Sequence, residues 1–382
     1  MSEQLKNRTN DRSPALDVIR CVACFGVIAA HFLLNNGFYK VDVGTSGRMT
    51  VMVFYRSCFM YCVPLFIILS GYLLCNKPIS MKYYGKIGKT YFIYVVASLF
   101  CLFGYPFLYT HLHGILGLPA KEFAALRFFD DVLLKILNFT AAPYSWFVEM
   151  YLGLFLMIPF LGLLYRSIQT RRQKHILLLI GIVLTSLPTV INVYDFGQII
   201  PEWWIRLYPV SYFFIGCYLR EYRIRIRPWK ALLLILATVA LSGLFCLWRV
   251  DGGQYTSGAS WNARYSIFNV VYSVLVFLLF QNIDYGRMPR FLRTLFTRIS
   301  ELTLGAYLVS WVFDKLFYAV LNDRVPKVWM RLEYCVIIVP LVFVCSLCVS
   351  AVIRLLYRLL DALIVRVRST TGRKNTEKGP GD

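Results

Sequence analysis

Of the chain's 382 residues, 58% are hydrophobic and 16% aromatic, while only 16% are charged, a balance that excludes an ordinary soluble domain. The net charge of +21 would suit a nucleic-acid partner, but the Lys and Arg concentrate in short segments between apolar stretches. That placement reads instead as membrane orientation and attraction to anionic lipid, so the expected fold is all-α: a polytopic membrane helix bundle in the lipid bilayer.

Residues 1–14 form a polar head ending in Ser13-Pro14, an N-cap followed by proline at the first helical position. Windows of about 20 apolar residues then predict ten spans, near 15–35, 52–75, 89–109, 145–165, 175–193, 203–219, 230–248, 264–281, 299–320 and 335–357. No segment pairs a short apolar core with a small-residue cleavage site, so the first span is expected to serve as its own anchor. Lys and Arg are rich in 1–14, 76–89, 166–174, 220–230, 282–298 and 354–382 and sparse in the alternate loops, which places both termini in the cytoplasm. The domain reading is a cytoplasmic head (1–14), one integral-membrane domain (15–358) and a basic, disordered tail (359–382).

The first span, ALDVIRCVACFGVIAAHFLL, holds Arg20 and His31. Eleven residues at about 100° each close three turns to within about 20°, so both project from one helix face, about 16 Å apart along the axis. Ionisable residues on one stripe of a membrane helix mark a pathway or site rather than lipid contact. The competing reading has Arg20 snorkelling to the interface and His31 hydrogen-bonded in the core. Ten of the eleven cysteines fall inside the predicted spans or at their ends and read as small apolar packers. The Cys21-x-x-Cys24 pair lacks nearby His or acidic ligands, and no metal is expected. The segment 110–144 carries His111 and His113, read as exposed loop histidines, and an amphipathic stretch, FFDDVLLKIL (128–137), suited to the interface or to the cavity mouth.

Five segments in order resemble one family. Leu16-Asp17-Val-Ile-Arg20 with His31 resembles the Arg-x10-His signature of membrane acyltransferase family 3, the bacterial integral-membrane O-acyltransferases of surface glycans. VPLFIILSGYLL (63–74), YSWFVEMYLGLFLMIPFL (144–161), YPVSYFFIGCYL (208–219) and ISELTLGAYLVS (299–310) are similar to that family's later helices. Two positions depart from its pattern. Residue 310 is Ser where members often carry His, and the basic pair on the third helix is Lys86-x-x-Lys89 rather than two arginines. Lysine binds phosphate as a point charge, without arginine's bidentate fork.

The resemblance implies an O-acyltransferase, with O-acetyl transfer the leading form, in a bacterial inner (plasma) membrane. It would move an acyl group from cytoplasmic acyl-CoA, with acetyl-CoA the leading donor, to a sugar hydroxyl of a surface polysaccharide or lipid-linked glycan, with no bound cofactor. Arg20, Lys86 and Lys89 would hold the donor's phosphates. His31 would be the general base, with a transient acyl-histidine chemically allowed, and Glu149 would orient its ring. Ser70, Trp146, Tyr307 and Ser310 are candidate cavity or oxyanion donors. Arg56, Arg206 and Asp314 fall at His31's depth and are candidate acceptor-side residues in a hydrated chamber; the alternative for them is ion pairs, Arg206 with Glu149 or Arg56 with Asp314. Two other classes remain: a transporter or flippase of a lipid-linked glycan that forms no bond, and a structural subunit.

Overall fold

The computed structural model describes residues 13–192 and 197–376, with side chains through residue 364. The polar head thus lies almost wholly outside the described residues, as do 377–382 of the tail. Among the described residues there is no strand beyond an isolated bridge between Asp42 and Gln254, and the fold is the expected all-α bundle. Its main helices are α1 (Pro14–Asn35), α2 (Gly47–Phe59), α3 (Cys62–Leu74), α4 (Ile87–Leu99), α5 (Tyr105–Leu116), α6 (Trp146–Ser167), α7 (Arg171–Thr185), α8 (Tyr208–Tyr222), α9 (Pro228–Val250), α10 (Ile267–Gln281), α11 (Arg290–Arg324) and α12 (Cys335–Thr376). Ser13 holds the N-cap position of α1 with extended backbone, but its side chain makes no capping bond.

Nine helical stretches among the described residues, not ten, are long and apolar enough to cross a bilayer. The missing one is α8, whose 15 residues reach only about 22 Å, and which with the preceding turn carries Arg206, Arg220 and Glu221. Its direction nevertheless makes it a tenth passage. Near its start the Tyr212 hydroxyl donates to the Arg264 carbonyl (2.7 Å), just ahead of α10. At its end Arg220 donates to the Tyr72 and Leu73 carbonyls at the far end of α3. The chain therefore reverses once more at α8, and this makes α1 and α11 parallel, as observed: Asp17 meets Ser300, Cys24 meets Thr303, His31 meets Asp314 and Asn35 meets Asn322. α12 runs back along α11, with the Ser350 hydroxyl donating to the Leu302 carbonyl (2.7 Å). Both ends of the described chain thus lie at the Arg20 end of the bundle.

α8 can be short because it is shielded: ten of its residues are buried, packed on α3, α6 and α7. In a bilayer, helices associate through close packing rather than a hydrophobic drive, so small residues set the contact. Here Gly71 on α3 faces Gly216 on α8, and an added Cβ at either would run into the other helix's backbone, at the Phe213 or Ile68 carbonyl oxygen.

One local expectation changes, and two further segments gain definite form. The third span continues through a π-helical turn (Phe100–Gly104) into α5, so His111 and His113 sit on a helix, bonded to the Phe107 and Thr110 carbonyls, rather than in a loop. The stretch 128–137 is a π-turn and a short helix, anchored where the Tyr94 hydroxyl donates to the Ile136 carbonyl (2.7 Å). α12 runs to Thr376, through the first part of the segment read as the basic tail. The cysteines are free thiols, most of them buried, and the Cys21 and Cys24 thiols reach the Phe296 and Thr303 carbonyls of α11.

Candidate active site

α1 carries the site because it is the most enclosed spine of the bundle: Ile19, Ala23, Cys24, Ile28, Ala29, Phe32 and Leu33 are all fully buried. Small side chains on this helix let α11 approach closely, and both ends of the α1–α11 seam are polar. At the lower end Asp17, 1% exposed, accepts hydrogen bonds from the Ser300 (2.8 Å) and Thr297 (3.0 Å) hydroxyls. It also lies 3.4 Å from the Arg20 guanidinium. A buried carboxylate held this way fixes the guanidinium beside it and joins the two helices.

Above Arg20 opens a cavity of about 430 Å³, lined by Arg20 and Lys89 at one end, by Ser70 and Tyr151 along its wall, and by Phe147 and Tyr307 at the other. Its wall is otherwise mostly apolar, including Val27, one turn before His31. The His31 and Tyr307 rings are 6.4 Å apart, so His31 lies behind the Tyr307 ring at this end without lining the cavity itself.

At the upper end of the seam His31 meets Asp314, with Nδ1 3.6 Å from Oδ2. The other contacts hold this pair from two sides. The Tyr144 ring lies over the imidazole, centroids 3.9 Å apart, and its hydroxyl donates to Asp314 Oδ2 (2.8 Å). Burial and then the Asp314 charge push the Tyr144 phenol well above its ordinary range, so it is a fixed neutral donor. Asn35, one turn beyond His31, donates to both the His31 carbonyl (2.9 Å) and the Tyr144 hydroxyl (3.1 Å). Asn322 in turn donates to the Asn35 carbonyl (3.0 Å). Arg331 closes the arrangement: its guanidinium donates to the Asn36, Asn322, Val325 and Pro326 carbonyls. One cation thereby caps the C-terminal ends of both α1 and α11, where the helix dipoles favour positive charge.

Around this pair several buried polar atoms have no hydrogen-bond partner: His31 Nδ1, Asp314 Oδ1, the Tyr318 hydroxyl and Asn322 Oδ1. Buried polar atoms are normally satisfied, and their concentration here sets this end of the seam apart from the apolar core around it.

The other residues expected at this depth do not join it. Glu149 is exposed on α6, and Asp314 stands where Glu149 was expected to orient the imidazole. Arg56 is buried, but it donates to the Tyr39 hydroxyl (3.0 Å), the Tyr255 hydroxyl (3.1 Å) and the Asn262 carbonyl (2.8 Å), not to Asp314. Arg206 is exposed beside Trp203 and Trp204, and neither expected ion pair forms. Among the candidate oxyanion donors, Ser70 and Ser310 commit their hydroxyls to the Phe66 and Tyr307 carbonyls (2.9 and 2.8 Å), and Tyr307 bonds the Tyr144 carbonyl. Trp146 is covered by the Arg264 guanidinium, 3.7 Å from its ring. On the donor side Lys89 lines the cavity while Lys86 is exposed outside it.

Tyr144, Asn35 and Arg264 were missed as site residues. Tyr144 opens the YSWF run and Asn35 lies one helical turn beyond His31, so spacing alone offered a signal for both. Arg264 had none, standing as the single basic residue of the segment between α9 and α10.

An amphipathic cavity near a buried histidine–carboxylate pair inside an apolar helix bundle marks an integral-membrane protein with a candidate site between α1 and α11. The family model for the acyltransferase 3 domain matches residues 13–353, nearly the whole described chain, and the protein belongs to that family of membrane acyltransferases. No curated protein and no solved structure is significantly similar to it.

Proposed function

We propose that the protein transfers an acyl group, with acetyl the leading candidate, from acyl-CoA to a sugar hydroxyl of a surface polysaccharide or lipid-linked glycan. The Arg20 end and both termini would face the cytoplasm of a bacterial inner membrane. The observation that carries this reading is the cavity lined by Arg20 and Lys89 at one end and by Tyr307 at the other, whose ring lies 6.4 Å from the His31 ring paired with Asp314. It suits a donor with an anionic head, a long neutral arm and a reactive tip. The nucleotide end binds at the Arg20 end, and the thioester rises to the imidazole.

With Nδ1 turned toward Asp314, Nε2 is the nitrogen left for the acceptor hydroxyl. Neutral His31 removes the hydroxyl proton as the oxygen attacks the thioester carbonyl. Asp314 keeps the ring oriented and stabilises the imidazolium, in the way a base is held by a third group. The tetrahedral oxyanion collapses, the carbon–sulfur bond breaks, and the leaving thiolate takes the proton back from the imidazolium. Tyr144 and Asn35 hold the carboxylate and ring in place.

The test is labelled acetyl-CoA added to inverted membrane vesicles carrying the protein. Label in the glycan fraction supports the reading, and His31→Ala should lower transfer about 10²- to 10⁴-fold at matched abundance. A transporter would move glycan without transferring label, and that outcome would refute transferase function.

A further inference from the structure

Next to the donor cavity lies a second one of about 350 Å³, lined by Arg293, Arg298, Arg354 and Arg358 together with Thr297 and Glu301. Residues 293, 297 and 301 follow one another at four-residue spacing along α11 as Arg, Thr and Glu, with Arg298 beside them, and Arg354 and Arg358 do so on α12, so two antiparallel helices bring four arginines and one glutamate to the same hollow. Glu301 lines both cavities and forms the ion pair with Arg354, making it part of the wall between them. Lys89, at the mouth of the donor cavity, lies within electrostatic reach of Arg354, Arg358 and Glu301. Among the described residues only Arg354 of these four arginines has a carboxylate partner. Arg293, Arg298 and Arg358 therefore repel one another across the hollow, an arrangement that an anion relieves. Membrane orientation accounts for basic residues at this end of the bundle; what it leaves unexplained is that these four line one open hollow that shares the Glu301 wall with the donor path, with Arg293, Arg298 and Arg358 exposed at its rim.

We propose that this arginine cavity binds the phosphate groups at the nucleotide end of acyl-CoA, the 3′-phosphate above all; the proposal rests on the acyl-CoA reading above. Arginine suits the task because its planar fork grips a phosphate through two parallel hydrogen bonds. The geometry fits the donor's shape. From Arg293 to Tyr307 is 14 residues of α11, or about 21 Å, along which the lining passes from arginines to the apolar wall and then to the ring beside His31. Of the residues expected to hold the phosphates, Lys86 is outside both cavities and Arg20 is shared with Asp17, which leaves Lys89 alone at the donor cavity's mouth. The same phosphate chemistry is offered by an anionic lipid headgroup, so the experiment separates the two sources.

The experiment is calorimetric titration of the full-length protein, in nanodiscs of phosphatidylcholine alone, with CoA, dephospho-CoA and pantetheine, repeated with phosphatidylglycerol added. The wild type should bind CoA at least about tenfold more tightly than dephospho-CoA, the scale of a charge-assisted contact. Arg298→Gln and Arg358→Gln should each erode that preference, and the double variant should abolish it, with pantetheine affinity unchanged. Preserved preference in the double variant overturns the proposal. So does a variant that loses CoA and pantetheine together, or one whose CoA affinity changes only when phosphatidylglycerol is present, which would mark a lipid headgroup site. A wild type that binds pantetheine but does not distinguish CoA from dephospho-CoA overturns this site alone. A wild type that binds none of the three overturns the acyl-CoA reading and this proposal with it.

Discussion

Replacing Asp314 by Asn removes one charge while keeping the shape of the site. Asparagine's carbonyl oxygen can still accept the Tyr144 hydroxyl, so the contact at 2.8 Å survives and the bundle should insert normally. What changes is the interaction with the imidazolium that forms during transfer. At the observed 3.6 Å between His31 Nδ1 and Asp314 Oδ2, two unit charges at an effective dielectric of 20 attract by about 4–5 kcal/mol. At about 1.4 kcal/mol per decade, this corresponds to roughly a thousandfold in rate, inside the range known for losing a positioned base or its orienting carboxylate. The assay is label transfer from acetyl-CoA in vesicles at matched protein abundance, for Asp314→Asn, His31→Ala and the double variant. The double variant should be little worse than His31→Ala, because residues that act as a unit are non-additive. A single Asp314→Asn variant within threefold of wild type would refute the argument, and an additive double variant would mean that Asp314 works independently of His31.

Glu149→Gln should leave transfer within twofold of wild type in the same assay, because the side chain is exposed on α6; a loss matching that of Asp314→Asn would return the orienting role to it. Gly216→Val should prevent normal assembly, since a Cβ there meets the Ile68 carbonyl oxygen and the Gly71 Cα; normal yield and melting temperature in detergent would contradict the close α3–α8 contact. Arg331→Ala strips the partners from four carbonyls at the ends of α1 and α11 and should cost at least about 3 kcal/mol, read as a lower melting temperature. Arg331→Lys should recover only part of this, and an unchanged melting point in Arg331→Ala would show that the cap contributes nothing.

Level along the bundle axis was legible in the sequence and azimuth was not, for a physical reason that the individual residues display. Level follows from rise per residue and the direction of each passage, both one-dimensional quantities. Arg20 and His31 accordingly sit at opposite ends of one seam, and Asp314 stands at the level of His31. The helix face a residue occupies can be counted within one helix, but which neighbour that face meets depends on how ten passages pack. The small residues that decide this, such as Gly71 against Gly216, leave no hydropathy signal. Glu149, Arg56 and Arg206 were therefore assigned to His31's level and yet point elsewhere: one to the outside of α6, one into a neutral cage of Tyr39, Tyr255 and the Asn262 carbonyl, and one to the surface beside two tryptophans. The α8 passage shows the converse. Its charges and 15-residue length put it below the apolar criterion, while its alternation of aromatic and small residues marks a helix surrounded by protein. A helix that other helices cover on most sides need satisfy only its own backbone and its packing neighbours, not lipid, so hydropathy has least to say about the innermost elements of a membrane site. The partner of His31 is found there, and tertiary contact is what distinguishes Asp314 from Glu149.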